Sequence, residues 1–297
     1  SYAYNSSFRL SCANGHLAIA KWMADSHMLR DRAHITSWAF HKSCKHGHLA
    51  VAQWLVERFD VTDANVHDQH VFQTACEHGQ LELAKWLIKR FNIIADDTRV
   101  AFNLSCQAGR LAVVQWLSER FGLANTRTYA KCALIDSGEH PAVVQWLVKH
   151  YNFTSMDLDV NAYCTLWTFC KHGYLESAQL IADHFHLTDE VACRGWHFEA
   201  FRDSCMQGHL DVAKWLTVRF NLKYADVTVK NNEALSKCCS KGHLKLARWL
   251  VDTFGLTADD VRACRALRTC IANDHLELAQ WMVDKFSLTA DDVISRE

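Results

Sequence analysis

Proline is almost missing from this sequence. One residue of 297 is proline, Pro141, and 11 are glycine. Proteins made of many tight turns or many short strands draw heavily on both. Their scarcity favours helices joined by short polar turns. Charge of one sign is missing as well: 32 Lys and Arg stand against 33 Asp and Glu, a formal net charge of −1. No field draws such a chain onto a polyanion, which argues against a phosphate-driven nucleic-acid binder. No apolar run reaches the roughly 18 residues that a membrane span needs. No secretion signal is visible. A Gly-rich phosphate loop, a His-Glu-x-x-His pair and a Gly-x-Ser-x-Gly elbow are all absent, so neither an enzyme nor a small-molecule substrate is expected.

What is present is ordinary in bulk and unusual in detail. Hydrophobic residues make up 49% and charged residues 22%, the composition of a globular protein with a core to bury. The length suggests about two domains as a prior. There are 13 Cys and 18 His. An odd number cannot pair completely within one chain. With no secretion signal, the thiols are expected to stay reduced, which places the protein inside the cell, in the cytoplasm.

Internal similarity is the strongest signal. Cys12-Ala-Asn-Gly-His-Leu runs on to Trp22, Cys44-Lys-His-Gly-His-Leu to Trp54, and Cys76-Glu-His-Gly-Gln-Leu to Trp86. The unit recurs at Cys106 to Trp116, Cys205 to Trp215 and Cys239 to Trp249, with weaker copies at Asp136 to Trp146, Cys170 to Leu180 and Ile271 to Trp281. Eight of the nine aligned positions are Trp. Each unit reads as two helices. Phe40 and Cys44, or Phe201 and Cys205, lie four apart and share one helix face. A Gly such as Gly47 ends that helix, because it accepts the left-handed cap. The second helix carries a wide apolar stripe, as in Leu49, Val51, Ala52, Trp54, Leu55 and Phe59. Thr257 with Asp260, and Thr289 with Asp292, supply caps and acids for the next helix start. One helix pair cannot bury its apolar face alone. The nine units are therefore expected to stack as a single solenoid over residues 1–297, replacing the two-domain prior. Burial of each repeat Trp is expected to be full, with truncation to Ala costing about 3–5 kcal/mol.

The Gly-His-Leu corners at Gly15, Gly47, Gly208 and Gly242, each followed by the second-helix stripe, resemble the ankyrin repeat. Cys12, Cys44, Cys76, Cys106, Cys170, Cys205 and Cys239 stand where that family has a small Ala. The family's Thr-Pro-Leu-His opening is missing, and its Leu appears as Phe8, Phe40, Phe72, Phe102, Leu166, Phe201, Leu235 and Leu267. A capped extension into the first helix replaces the loop that forms a β-hairpin finger. The resemblance thus implies an all-α helix-turn-helix solenoid with short or absent fingers. The Trp-Leu…Phe variant looks like arrays encoded by protists and by large DNA viruses of amoebae. Units near residues 132–200 are irregular, and a bend or register change is expected there. The first residue is Ser1, not Met, and Thr289 to Val293 starts another first helix. Further repeats or another domain are therefore expected beyond the chain.

Cys and His recur as Cys-x3-His, at Cys12/His16, Cys44/His48, Cys205/His209 and Cys239/His243. Zinc uses such ligands. Gln80 and Arg110 replace the His in two units, however, and no ligand set tolerates that. The Cys is read as a small buried residue and the His as a hydrogen-bonding partner of its adjoining turn. No metal and no cofactor are expected. By the ankyrin resemblance, the concave groove includes the two variable positions before each Gly. These are Ala13-Asn14, Lys45-His46, Glu77-His78, Gln107-Ala108, Ser137-Gly138, Lys171-His172, Met206-Gln207, Ser240-Lys241 and Ala272-Asn273. Trp38, Trp167 and Trp196 fall outside the repeat Trp position and are either interface aromatics or packing against the adjacent repeat.

The expected function is a non-catalytic scaffold that binds a protein partner along the concave, repeat-variable face. Its candidate contacts are Lys45, His46, Glu77, His78, Gln107, Lys171, His172, Met206, Gln207 and Lys241, with Trp38, Trp167 and Trp196. The alternative is a structural component that packs laterally into a larger assembly, favoured by an exposed apolar patch around those three Trp. A metal- or redox-responsive solenoid is a third reading.

Overall fold

The computed structural model describes residues 2–26, 32–59, 61–62, 70–93, 95–122, 127–154, 162–188, 196–289 and 291–294. Among them are 21 helices and no strand. The chain forms two compact units, one up to Asn152 and one from Phe153.

The first unit contains five helix pairs. They are α1 (Tyr2–Ala13) with α2 (Leu17–Asp25), α3 (Arg32–Lys45) with α4 (Leu49–Phe59), α5 (Val71–Glu77) with α6 (Leu81–Arg90), α7 (Ala95–Gln107) with α8 (Leu111–Phe121), and α9 (Arg127–Asp136) with α10 (Pro141–His150). The second unit contains α11 (Ala162–His172) with α12 (Leu175–His184) and α13 (Trp196–Gln207) with α14 (Leu210–Arg219). These are followed by the short α15 (Tyr224–Val227), α16 (Val229–Ser240) with α17 (Leu244–Phe254), the short α18 (Ala258–Ala263), α19 (Ala266–Ala272) with α20 (Leu276–Phe286), and α21 (Asp291–Ile294).

Most pairs are variations on one plan, seen most fully in repeats two and seven. On the first helix the Phe and Cys face inward; Phe40, Cys44, Phe201 and Cys205 are all buried. A Ser beside the Cys is buried too, and its hydroxyl donates back to the helix: Ser43 Oγ to the Phe40 carbonyl at 2.8 Å and Ser204 Oγ to the Phe201 carbonyl at 2.7 Å. That bond removes the desolvation cost of a buried hydroxyl. The first helix ends in a paired turn. In repeat two the His48 N–H donates to the Ser43 carbonyl at 2.8 Å, and the Gly47 N–H to the Cys44 carbonyl at 3.2 Å. Gly47 has φ +78, the left-handed position of a Schellman cap.

The segment between repeats behaves as its caps require. The Thr257 hydroxyl accepts from the Asp260 N–H, and the Asp260 carboxylate accepts from the Thr257 N–H at 2.8 Å, a complete capping box that starts α18. Asp292 does the same for the Thr289 N–H at 2.7 Å, ahead of α21. Short helices thus stand where hairpin fingers were expected to be reduced or absent.

Two expectations need correction. The repeat Trp side chains are not fully buried. Trp54, Trp86, Trp116, Trp146, Trp215, Trp249 and Trp281 are half-buried, and Trp22 is 69% exposed. Each interior Trp lies edge-on to the aromatic ring five residues later, with centroids 5.7 Å apart for Trp54–Phe59 and 5.9 Å for Trp249–Phe254. The fully buried ring is the first-helix Phe. Phe8 meets Trp54 and Phe59 of the next repeat at 6.4 and 6.2 Å. Phe201 meets Trp249 and Phe254 of its next repeat at 6.5 and 6.1 Å.

The other correction concerns repeat five. Its Ser137 Oγ donates to the Leu134 carbonyl, as the core Ser does elsewhere, but His140 follows only three residues later. The corner is two residues shorter than in repeat two. Ser137 and Gly138 therefore lie buried in the turn that directly follows α9, not on the variable face.

Candidate partner-binding face

The side chains that vary from repeat to repeat sit on a backbone that does not. The carbonyl of the first variable residue is held by the corner side chain of the following repeat. His140 Nε2 lies 3.0 Å from the Gln107 carbonyl, His243 Nε2 3.0 Å from that of Met206, and His275 Nε2 3.2 Å from that of Ser240. Arg110 Nε donates to the Glu77 carbonyl at 3.0 Å. The corner His therefore bonds the preceding repeat and not its own adjoining turn, as the sequence suggested. Arg110 at a His position fits this role, because the role needs an N–H donor and not a metal ligand. The same side chains lie over the preceding Gly. A Cβ on Gly208 would stand 2.6 Å from the His243 ring, and one on Gly15 2.6 Å from that of His48.

The second variable residue folds back on its own helix. His78 Nδ1 is 3.0 Å from the Thr74 carbonyl and His172 Nδ1 is 2.8 Å from that of Thr168. At Thr74 the ring adds to the bond that the His78 N–H already makes to the same carbonyl at 3.1 Å. The His172 ring also stacks on Tyr174, with centroids 5.7 Å apart. His46, Gln107, His172, Gln207 and Lys241 are exposed, while Lys45, Glu77, His78, Lys171 and Met206 are partly exposed.

Trp38 and Trp167 lie on the outward face of their first helices, three and four residues from the next outward positions. Neither ring is bare. The Trp38 ring has the Arg9 guanidinium 5.3 Å and the Lys42 ammonium 5.6 Å from its centroid. Trp167 donates from Nε1 to Asp203 at 3.0 Å, with the Lys171 ammonium 5.1 Å above it. The side chain of Trp196 lies outside the described residues. The exposed apolar side chains are elsewhere, among them Leu10, Ile19 and Trp22 in repeat one and Leu276 in repeat nine.

Among the described residues no group of three His, Cys, Asp or Glu side chains converges as a metal site. Burial pushes the repeat thiols up, Cys12 to about 12. A thiol protonated at neutral pH is a poor nucleophile. Among the described residues no helix is long and apolar enough to cross a membrane.

Burial between repeats lowers the pKa of His209, and the nearby His243 and His172 add to this against a hydrogen bond with the Lys171 backbone. The unfolded chain, with His near its ordinary value of 6.5, then takes the proton first. Stability is intact above that pH and is lost as pH falls through the folded value. His209→Gln keeps a side chain over Gly173, as Gln80 lies over Gly47. The melting temperature of this variant, followed by circular dichroism, is expected to fall less between about pH 7.5 and 5.5 than that of the wild type. An equal fall would remove His209 as the cause.

The repeated pair of helices, its left-handed corner and its stacked first-helix Phe define a helix-turn-helix repeat protein, all-α in its described residues. The model for ankyrin repeats (3 copies) matches residues 40–129 and 201–292. The chain belongs to the ankyrin-repeat family. The unmatched stretch between them contains repeat five, with its shortened corner, and repeat six, with Leu180 in place of Trp. No curated protein matches the chain. Ankyrin repeats are in general protein–protein interaction modules, and an all-helical fold of this kind is typically non-catalytic.

Proposed function

We propose that the protein is a non-catalytic scaffold that binds a protein partner through the side chains varying on the first-helix face and its corner. One observation carries the reading. In four repeats the corner side chain of the next repeat bonds the backbone at these positions, while the side chains there differ in kind from repeat to repeat. A fixed frame with variable, accessible side chains is what a modular recognition surface requires. Lys45, His46, Glu77 and His78 in the first unit, and Lys171, His172, Met206, Gln207 and Lys241 in the second, are the contacts we assign. The alternative, lateral packing into a larger assembly, is favoured by an exposed apolar patch containing Trp38, Trp167 or Trp196, of which Trp38 and Trp167 lie among the described side chains. Their engagement by Arg9, Lys42, Asp203 and Lys171 weighs against it.

Affinity capture from lysate with two baits tests the scaffold reading. The second bait carries Ala at Lys45, His46, Glu77, His78, Lys171 and His172. A protein retained by the first bait and lost from the second is the expected result. Equal retention on both baits would remove recognition from this face.

A further inference from the structure

The outward faces of the first helices differ between the two units. In the second unit one group of these charges is matched on α13 and α16. Arg202 pairs with Glu199 and, at 2.6 Å, with Glu233, while Lys237 lies 3.3 Å from Glu233 and 3.8 Å from Asp203. On the equivalent face of repeat two, Lys42 and Lys45 are not matched in this way. On α3, Trp38, Lys42 and Lys45 stand four and three residues apart and share one side of the helix. The Arg9 guanidinium also lies over the Trp38 ring, 5.3 Å from its centroid. His46 and His48 follow, with ring centroids 6.3 Å apart. Among the described residues no carboxylate lies in ion-pair range of Lys42 or Lys45. Glu77 is the one acid among the two variable positions of these three repeats. Burial and the surrounding His48, Lys45, Lys42 and His78 all lower the pKa of His46, as a locally positive surface should.

We propose that this strip on repeats one to three docks an acidic linear segment of the protein partner, with Lys42 and Lys45 as its main anchors. The inference rests on the scaffold reading and names the chemistry of what that face accepts. An acidic peptide fits better than a nucleic acid for two reasons. A polyanion binder neutralises many phosphates along a continuous field, and this chain has a net charge of −1 with Glu77 inside the strip. Base stacking needs a bare aromatic face, and the Trp38 ring already carries the Arg9 guanidinium and the Lys42 ammonium.

Three helices side by side span about 20–30 Å, which roughly six to nine extended residues cover. The probe is a fluorescein-labelled peptide of alternating Glu and Ser of that length, with alternating Gln and Ser as its uncharged control. Binding is read by anisotropy. The wild type is expected to bind the Glu peptide and to weaken between about 50 and 300 mM salt. Lys42→Glu with Lys45→Glu is expected to lose roughly tenfold or more. Lys21→Glu with Lys89→Glu, on exposed second-helix positions, is expected to bind as the wild type does. Circular dichroism establishes that each variant is folded. The proposal is overturned if the Glu peptide binds no better than the Gln peptide, if both double variants bind alike, or if oligouridylate displaces the peptide at lower concentration. The lysate capture separates the two levels. A partner lost with the alanine bait, without peptide binding, leaves the scaffold and removes the acidic segment. Peptide binding without a partner that depends on this face removes the scaffold and leaves an anion site.

Discussion

Replacing Gly208 by Ala is expected to destabilise the protein by about 3 kcal/mol, and replacing Gly255 by Ala by about 1 kcal/mol. Both glycines are left-handed, with φ +84 and φ +64, so both substitutions carry the backbone penalty. They differ in what the new methyl group meets. Nothing lies within 4 Å of a Cβ on Gly255, whereas the His243 ring lies 2.6 Å from one on Gly208. The ring cannot simply swing away, because its Nε2 is bonded to the Met206 carbonyl at 3.0 Å. Urea unfolding followed at the helical signal gives both numbers. The double variant Gly208→Ala with His243→Ala separates the causes. If the clash is real, removing the ring recovers part of the loss, and the pair couples by about 1 kcal/mol or more. Additive costs would mean that backbone conformation alone explains the Gly.

The periodic part of the fold was legible because helix periodicity, the Gly corner and the cap residues act within a few positions of one another. Gly47, Thr257 and Asp260 each did locally what their chemistry implied. Interactions between repeats were harder to read. The corner His was assigned to its own turn, since nothing in Gly-His-Leu says that its ring reaches back to the preceding repeat. The clue available was Arg110: a donor replacing His, where a ligand or a packing residue would not be so replaced. Repeat five misled for a different reason. Aligning Asp136 with Cys kept the spacing to Trp146 regular, but the corner had lost two residues. The small, buried pair Ser137-Gly138 was the better landmark, because Ser next to a small residue recurs in the core of first helices. The candidate face was reached only through the family resemblance. Neither the Arg9–Trp38 contact nor the Trp167–Asp203 bond could be seen in one dimension, since each joins residues about one repeat apart.

The most instructive residue to remove is Phe201, since the sequence directs attention to Trp249 instead. Phe201 is buried, at 1% exposure, and meets both Trp249 and Phe254 of the following repeat. Trp249 is half-buried and keeps one side toward solvent. Phe201→Ala is therefore expected to cost about 3–5 kcal/mol, the range for a core aromatic. Trp249→Ala should cost about 1–2 kcal/mol, since much of its surface is wet in both states. In a stack stabilised by nearest-neighbour contacts, the Phe201 loss falls on the junction between repeats seven and eight. Amide exchange in the native state should then speed up on both sides of that junction, in α13 and in α16 and α17, while α1 to α4 in the other unit keep their protection. If Trp249→Ala matched Phe201→Ala in urea, the repeat Trp would be the interface anchor after all. The edge-on Trp–Phe pairs would then contribute more than their burial indicates. If Phe201→Ala is the larger by about 2 kcal/mol or more, the conspicuous Trp series is the rim of each junction and the first-helix Phe is its centre.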